Sequence, residues 1–328
     1  MKKVIVVIAA VVLLCALLIV GLPLFSRLYY HRSWEATLFA WQLNKEAYST
    51  EEAFDAYLDE KRRENSAPFF FPEELDVPVS VAQALPGGMQ FVILNGNASP
   101  DRLIVYFPGG SYIDQPRRVH WDFLGALASD TGSAVVFPIY PKLPGDNAES
   151  CISALSTAYE DFLRDTNRGE LIFMGDSAGG GLALSFAMHL RDNGSEHTPE
   201  KIILISPWLD VTLSNPEIPG CEKKDRTLDA EQLRHLGALW ADDLSLTDPL
   251  VSPLYGNFEA LGTVTLVTGT ADLLYPDILA LHDKLSREGV EHEFAAWEGL
   301  FHVFPLYIGY SIPETKEAYD HIVAAILR

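Results

Sequence analysis

Cysteine is scarce in this chain. Of three in 328 residues, Cys15 lies in an apolar run, which leaves Cys151 and Cys221 to the rest. Two such residues permit one bridge but cannot build a disulfide-held scaffold. Basic side chains are also few: 24 Lys and Arg stand against 45 Asp and Glu, for a formal charge of −21. With Lys2, Lys3, Arg27 and Arg32 set aside, residues 33–328 keep 20 basic groups and carry −25. A surface that negative repels phosphate backbones and anionic lipid, so no nucleic-acid partner is expected and neutral or cationic small molecules are favoured, although solubility alone also accounts for such a charge. Internal repeats and low-complexity tracts are absent. The hydrophobic content of 48% is enough for a substantial core, so disordered and fibrous classes are excluded and the length suits one large α/β domain or two small ones.

The chain opens with an uncharged run, Val4 to Phe25, VIVVIAAVVLLCALLIVGLPLF. Twenty-two helical residues span about 33 Å, against roughly 30 Å of bilayer hydrocarbon. Residues 1–32 are therefore expected to be a single-pass membrane anchor. A cleaved signal peptide, which would leave a secreted protein, is the weaker reading, because the exit Gly21-Leu22-Pro23-Leu24-Phe25-Ser26 lacks a small-x-small cleavage pattern. Lys2 and Lys3 precede the run, and Arg27 and Arg32 follow it. The charge bias is thus nearly balanced, with the rest of the chain expected on the non-cytoplasmic side.

Residues 33–66 carry helix formers with aromatics at Trp34, Phe39, Trp41, Tyr48, Phe54 and Tyr57, the pattern of one or two amphipathic helices that Pro68 and Pro72 end. Short apolar runs follow. VPVSVAQAL (77–85) and MQFVILN (89–95), split by Pro86-Gly87-Gly88, form an expected antiparallel pair. Strands at 102–108, 133–140, 170–175, 201–207, 263–269 and 292–298 then alternate with helices near 117–131, 147–165, 178–192, 275–288 and 314–327. Near-continuous Val/Ile/Leu strands separated by helices mean a mostly parallel sheet covered on both faces. The alternation breaks between about 211 and 262, a stretch too long for an ordinary connection, with its own helix around 229–242. It is expected to form a helical cap together with 33–66, all within one domain from 33 to 328.

Chemistry enters at Gly175-Asp176-Ser177-Ala178-Gly179, where an apolar strand meets a small-residue helix start. Alone, G-x-S-x-G is a weak signal. A sharp strand-to-helix turn, however, exposes a serine hydroxyl, and the flanking glycines allow close backbone approach. A serine needs a base and an orienting acid, which in the α/β-hydrolase fold follow in the order Ser, Asp or Glu, His, on loops at strand ends. Of nine histidines, His302 lies just past the last strand, whereas His235, His282 and His321 fall within helices and His292 opens a strand. The acid should follow strand 263–269; Asp272 is the first candidate and Asp277 the second. An oxyanion requires inward-facing amides. Ala178 supplies one, and Gly109, Gly110 and Ser111 after strand 102–108 supply the others.

With these motifs in hand, the chain resembles the hormone-sensitive-lipase-like (α/β-hydrolase fold-3) esterases over about residues 100–310. The resemblance is carried by GDSAGG at 175–180, ISPWLDVT at 205–212, DPLVSPLYG at 248–256, YPKLP at 140–144 and FHVF at 301–304. It implies Ser177 as nucleophile, Asp272 as acid, His302 as base, and Gly109, Gly110, Ser111 and Ala178 as the oxyanion group. It also implies a carboxylesterase acting on short acyl esters with neither metal nor organic cofactor. The family's H-G-G-G is altered here, since Pro108 stands for the histidine and Ser111 for the last glycine, which removes a side chain that usually orients the loop. Trp34, Phe39, Tyr112, Trp208 and Trp240 are candidates for the substrate wall, with Tyr112 and Trp208 beside the oxyanion loop and strand end. Lipase, lactonase and amidase activities would use the same triad. A non-catalytic binding protein of this fold is disfavoured because all three triad positions are filled.

Overall fold

A computed structural model describes residues 5, 20–45, 48, 50–69, 75, 77–83, 88–96, 101–164 and 169–328. Eight strands form a single sheet: β1 Val79–Gln83, β2 Gln90–Leu94, β3 Arg102–Phe107, β4 Ala134–Pro138, β5 Glu170–Asp176, β6 Lys201–Ile205, β7 Thr263–Gly269 and β8 His292–Trp297. Their order is β1-β2-β4-β3-β5-β6-β7-β8. β1 and β2 pair antiparallel, as do β2 and β4, and every pairing from β4 to β8 is parallel.

Alternation along each strand feeds two cores. Leu103, Val105 and Phe107 of β3 join Leu171 and Phe173 of β5 on one face, while Ile104, Tyr106, Ile172 and Met174 point to the other. The first face is covered by α4 (Ala148–Arg164), α5 (Ser177–Asp192) and α8 (Tyr275–Glu288). The second is covered by α3 (Arg118–Thr131) and α9 (Pro313–Leu327). Burial on both sides is the reason these strands read as unbroken apolar runs.

The segment 33–66 resolves into two helices, α1 (Trp34–Gln42) and α2 (Glu51–Ser66), capped by Ser33 and Thr50 side chains. α6 (Ile218–Glu222) and α7 (Ala230–Ala241) lie within the 211–262 stretch, where Leu233, Leu236 and Trp240 of α7 extend the first core.

Most of the expected membrane anchor lies outside the described residues. Among those described, no helix is long and apolar enough to cross a membrane. At the boundary expected at residue 32, one side chain reaches into the following domain. Arg32 is buried, donating through Nη1 to the Gly299 carbonyl at 2.8 Å and through Nε to Thr37 Oγ1 at 3.2 Å. Ser33 binds the Glu314 carboxylate with both its amide and its hydroxyl. Arg32 therefore belongs to the hydrolase unit and braces the turn that precedes His302.

The packing predicts where the domain is most sensitive. Phe173 is fully buried against Phe107, Tyr159 and Phe186. Phe173→Ala should cost about 3–5 kcal/mol, read from urea unfolding midpoints, because so central a cavity cannot collapse.

Candidate active site

Parallel strands end at one edge, and the functional side chains sit on the connections that leave it. β5 ends at Asp176 and α5 starts at Ser177, whose φ of 51° places it in the left-handed region that a sharp turn requires. The glycine spacing has a steric cause. A Cβ on Gly179 would lie 2.1 Å from the Phe107 carbonyl oxygen, and one on Gly175 would lie 2.4 Å from that of Gly179. Side chains at either position would force β3, β5 and α5 apart.

Ser177 Oγ is 2.9 Å from His302 Nε2, and His302 Nδ1 is 2.9 Å from Asp272 Oδ2. All three residues are buried. Asp272 is held by the Leu274 amide on its other oxygen at 2.9 Å. Asp277 lies in the first turn of α8 and makes no bond to the imidazole; burial and the nearby Asp210 carboxylate push it up to about 7. Geometry thus selects Asp272 over Asp277.

A residue of the cap joins this chain. Asp225 accepts the Leu273 amide at 2.7 Å, immediately after Asp272, while its other oxygen takes Thr227 and Leu228. Burial and the Asp272 carboxylate raise the Asp225 carboxyl above its ordinary value. Burial works against an imidazolium at His302, but Asp272, Asp225 and Asp176 outweigh it, so the His302 pKa is raised.

The oxyanion loop is held by Asp176, which the sequence motif treats as a spacer. Its buried Oδ1 accepts the Gly109 amide at 2.9 Å and the Tyr106 hydroxyl at 2.7 Å. His120 Nδ1 accepts the Arg117 amide at 3.0 Å, so its proton sits on Nε2, 3.4 Å from Asp176 Oδ2. Burial alone would raise the Asp176 carboxyl; His120, Gly109 and Tyr106 reverse that and lower it. Because the Gly109 amide is spent on Asp176, Gly109 anchors the loop and is not free to meet an oxyanion. No described acceptor takes the Gly110 or Ser111 amide, and both residues line the cavity beside Ser177. Ala178 is buried at the first turn of α5, next to the nucleophile.

Gly110, Ser111 and Tyr112 have φ of 125°, 52° and 61°. Two consecutive non-glycine residues in the left-handed region cost of order 1–3 kcal/mol each. Tyr140 Oη donates to the Pro108 carbonyl at 2.6 Å, the Leu143 amide to the Tyr112 carbonyl at 2.9 Å, and Asn65 Nδ2 to Ile113 at 2.8 Å. Tyr112 also stacks on Trp240 at 4.2 Å and on Trp208 at 5.4 Å between ring centroids. Pro108 in place of a histidine is thereby compensated.

Tyr112, Trp208 and Trp240, expected in the substrate wall, are fully buried under the loop and do not line the cavity. Trp34 is 40% exposed, and Phe39 packs on Phe301, Tyr307 and Tyr310. The cavity of about 160 Å³ is walled instead by Val119, Leu228, Leu233, Leu306 and Tyr307 together with polar side chains, among them Asn44, Asp114, Arg117, Thr227, Asp229 and Gln232. Among the described residues, no group of His, Cys, Asp or Glu is arranged to hold a metal ion.

The model of the alpha/beta hydrolase fold matches residues 104–306. The chain belongs to the α/β-hydrolase family, in its hormone-sensitive-lipase-like branch. It is similar to an esterase of Acinetobacter venetianus, 28% identical over 69% of this chain and 74% of that protein. An acetyl-hydrolase of Streptomyces hygroscopicus is also 28% identical, over 69% of this chain and 75% of its own length. A solved structure from Staphylococcus aureus, 29% identical, superposes with a TM-score of 0.78 over 86% of this chain and 94% of that one. An esterase of the bacterial hormone-sensitive lipase family, 22% identical, shares the fold with a TM-score of 0.72 over 85% of this chain and 99% of its own.

A general base at His302 would act only when neutral, so its raised pKa should make kcat/KM climb with pH through a midpoint above the ordinary histidine value near 6.5. Asp225→Asn removes one of the negative charges that raise it, so the acid limb should move to lower pH. An unmoved limb would mean that Asp225 is protonated and contributes no field.

Proposed function

We propose that this chain is a serine carboxylesterase that cleaves short-chain acyl esters through an acyl-enzyme. The reading rests on one observation: an unbroken hydrogen-bond chain from Asp272 through His302 to Ser177 Oγ, ending in a small cavity beside two unengaged amides. His302 takes the Ser177 proton as the hydroxyl attacks the ester carbonyl. The Gly110, Ser111 and Ala178 amides receive the charge that develops on oxygen. His302 then returns the proton to the leaving alcohol, and the same base activates the water that releases the acid. Asp272 keeps the imidazole oriented, with its Nδ1 proton facing the carboxylate.

The names of the similar proteins, esterase and acetyl-hydrolase, point the same way. Short acyl groups are favoured by the cavity itself. Its roughly 160 Å³ is small beside the ~300–1,000 Å³ of pockets that hold drug-sized ligands, and Leu228, Leu233 and Leu306 stand in its wall. Each methylene that fits adds about 0.8 kcal/mol, roughly fourfold in specificity, until the wall is reached. Ser177→Ala should lower kcat for p-nitrophenyl butyrate by about 10⁴-fold or more while the protein stays folded. Across p-nitrophenyl esters from acetate to palmitate, kcat/KM should peak between acetate and hexanoate; steady growth to C12 and beyond would make the enzyme a lipase.

The uncharged run Val4–Phe25 serves in this proposal as a membrane anchor, with the catalytic domain on the non-cytoplasmic side. Support comes from its length and from the exposed Val20, Leu24, Phe25, Leu28 and Tyr29 at its end. Removal of residues 1–25 should release a soluble, active enzyme. Removal of 1–32 also takes Arg32 from Gly299, and should lower the thermal midpoint relative to the shorter truncation. An insoluble 26–328 chain would count against the anchor.

A further inference from the structure

A second cavity, of about 800 Å³, shares no lining residue with the catalytic one. Its wall contains Lys142, which is 4% exposed. The ammonium donates to the Tyr140 carbonyl at 3.0 Å and lies 4.2 Å from the centroid of the Tyr140 ring. It makes no ion pair with any described residue. A buried ammonium without a counter-charge costs several kcal/mol, and one carbonyl with one aromatic face recovers part of that. The unsatisfied charge therefore needs either deprotonation or an anion. The wall combines apolar side chains, Phe69, Met89, Ile139, Ala154 and Ala158, with polar ones that include Gln115, Ser153 and Thr157.

We propose that this cavity is a second ligand site, separate from the catalytic centre, that binds an apolar monocarboxylate through Lys142. The buried, unpaired Lys142 ammonium in a wall that also offers Phe69, Met89 and Ile139 matches a ligand with one negative charge and a hydrocarbon body. Arg62, also in the wall, is paired with Asp59, and the Asn65 amide is engaged by the Ile113 and Leu143 carbonyls. Aliphatic or aromatic acids are the fitting class. The wall is braced to the oxyanion loop, because the same Tyr140 that supports Lys142 donates to the Pro108 carbonyl.

Burial lowers the Lys142 pKa to about 8 against the raising effect of Cys151 on α4, Asp114 beyond the oxyanion loop and Glu64 on α2. Asp146 and Arg62 also line the cavity. The ammonium form binds the carboxylate, so affinity should be full below pH 8 and fall by about tenfold per pH unit well above it.

The test is titration calorimetry of the full chain with hexanoate, with 1-hexanol as the uncharged control. One equivalent of hexanoate should bind at pH 7, about tenfold more weakly at pH 9, and hexanol should not reproduce the signal. Lys142→Met should remove that binding without lowering the unfolding midpoint, since an unpaired buried charge is lost along with the ligand. Ala154→Phe, which fills the cavity from its rim and leaves the lysine in place, should weaken binding by at least about tenfold and decides the matter if the lysine variant misfolds. Hexanoate is also the acid that the proposed reaction releases from hexanoyl esters, and binding that survives both variants would place it in the catalytic cavity and overturn the proposal. No saturable binding up to about 10 mM would overturn it equally.

Discussion

The catalytic edge is organised by one buried carboxylate. Asp176 precedes the nucleophile in the chain and faces away from it, into the contact between β3 and α3. Through Oδ1 it holds the Gly109 amide and the Tyr106 hydroxyl; through Oδ2 it faces His120. Strand end, oxyanion loop and helix are thus fixed to one group. A charge this deep would be costly alone, and its donors are what lower its pKa. The strain of the left-handed pair Ser111–Tyr112 is tolerable because the loop is fastened before the pair, at Gly109 by Asp176, and within it, at Tyr112 by stacked indoles.

Much of this was legible in the sequence because the relevant signals are local. β7 runs over 263–269 and α8 over 275–288 as the apolar periodicity implies, and Ser177, Asp272 and His302 stand at strand ends in the order that the fold's connectivity requires. The G-x-S-x-G glycines could be read because their cause lies in two chain crossings that recur wherever a strand turns into a helix in this way.

What was not legible depends on long-range pairing. Asp225 is about fifty residues from the amide it binds, and nothing in Asp-Arg-Thr-Leu distinguishes it from a turn former. His120 sits within a helix whose pattern does not mark it. Tyr112 and Trp208 lie next to the site in sequence, but the φ of Tyr112 and the stacking of the two rings bury them beneath the loop, so adjacency misled where direction decided. Arg32 likewise reads as a basic flank of an apolar run, although its guanidinium is spent on a carbonyl that lies 267 positions away in the chain.

The link between Asp225 and Leu273 bears on how such enzymes can be recombined. Cap segments look like interchangeable inserts on a constant sheet, and splicing points near 210 and 262 would respect every strand. A chimera made there would nonetheless import or discard a carboxylate that touches the turn of Asp272 and sits in the field of the His302 imidazole. The graft would alter the base strength of the recipient as well as its pocket, and libraries built on cap exchange would need to keep this aspartate with the sheet it serves.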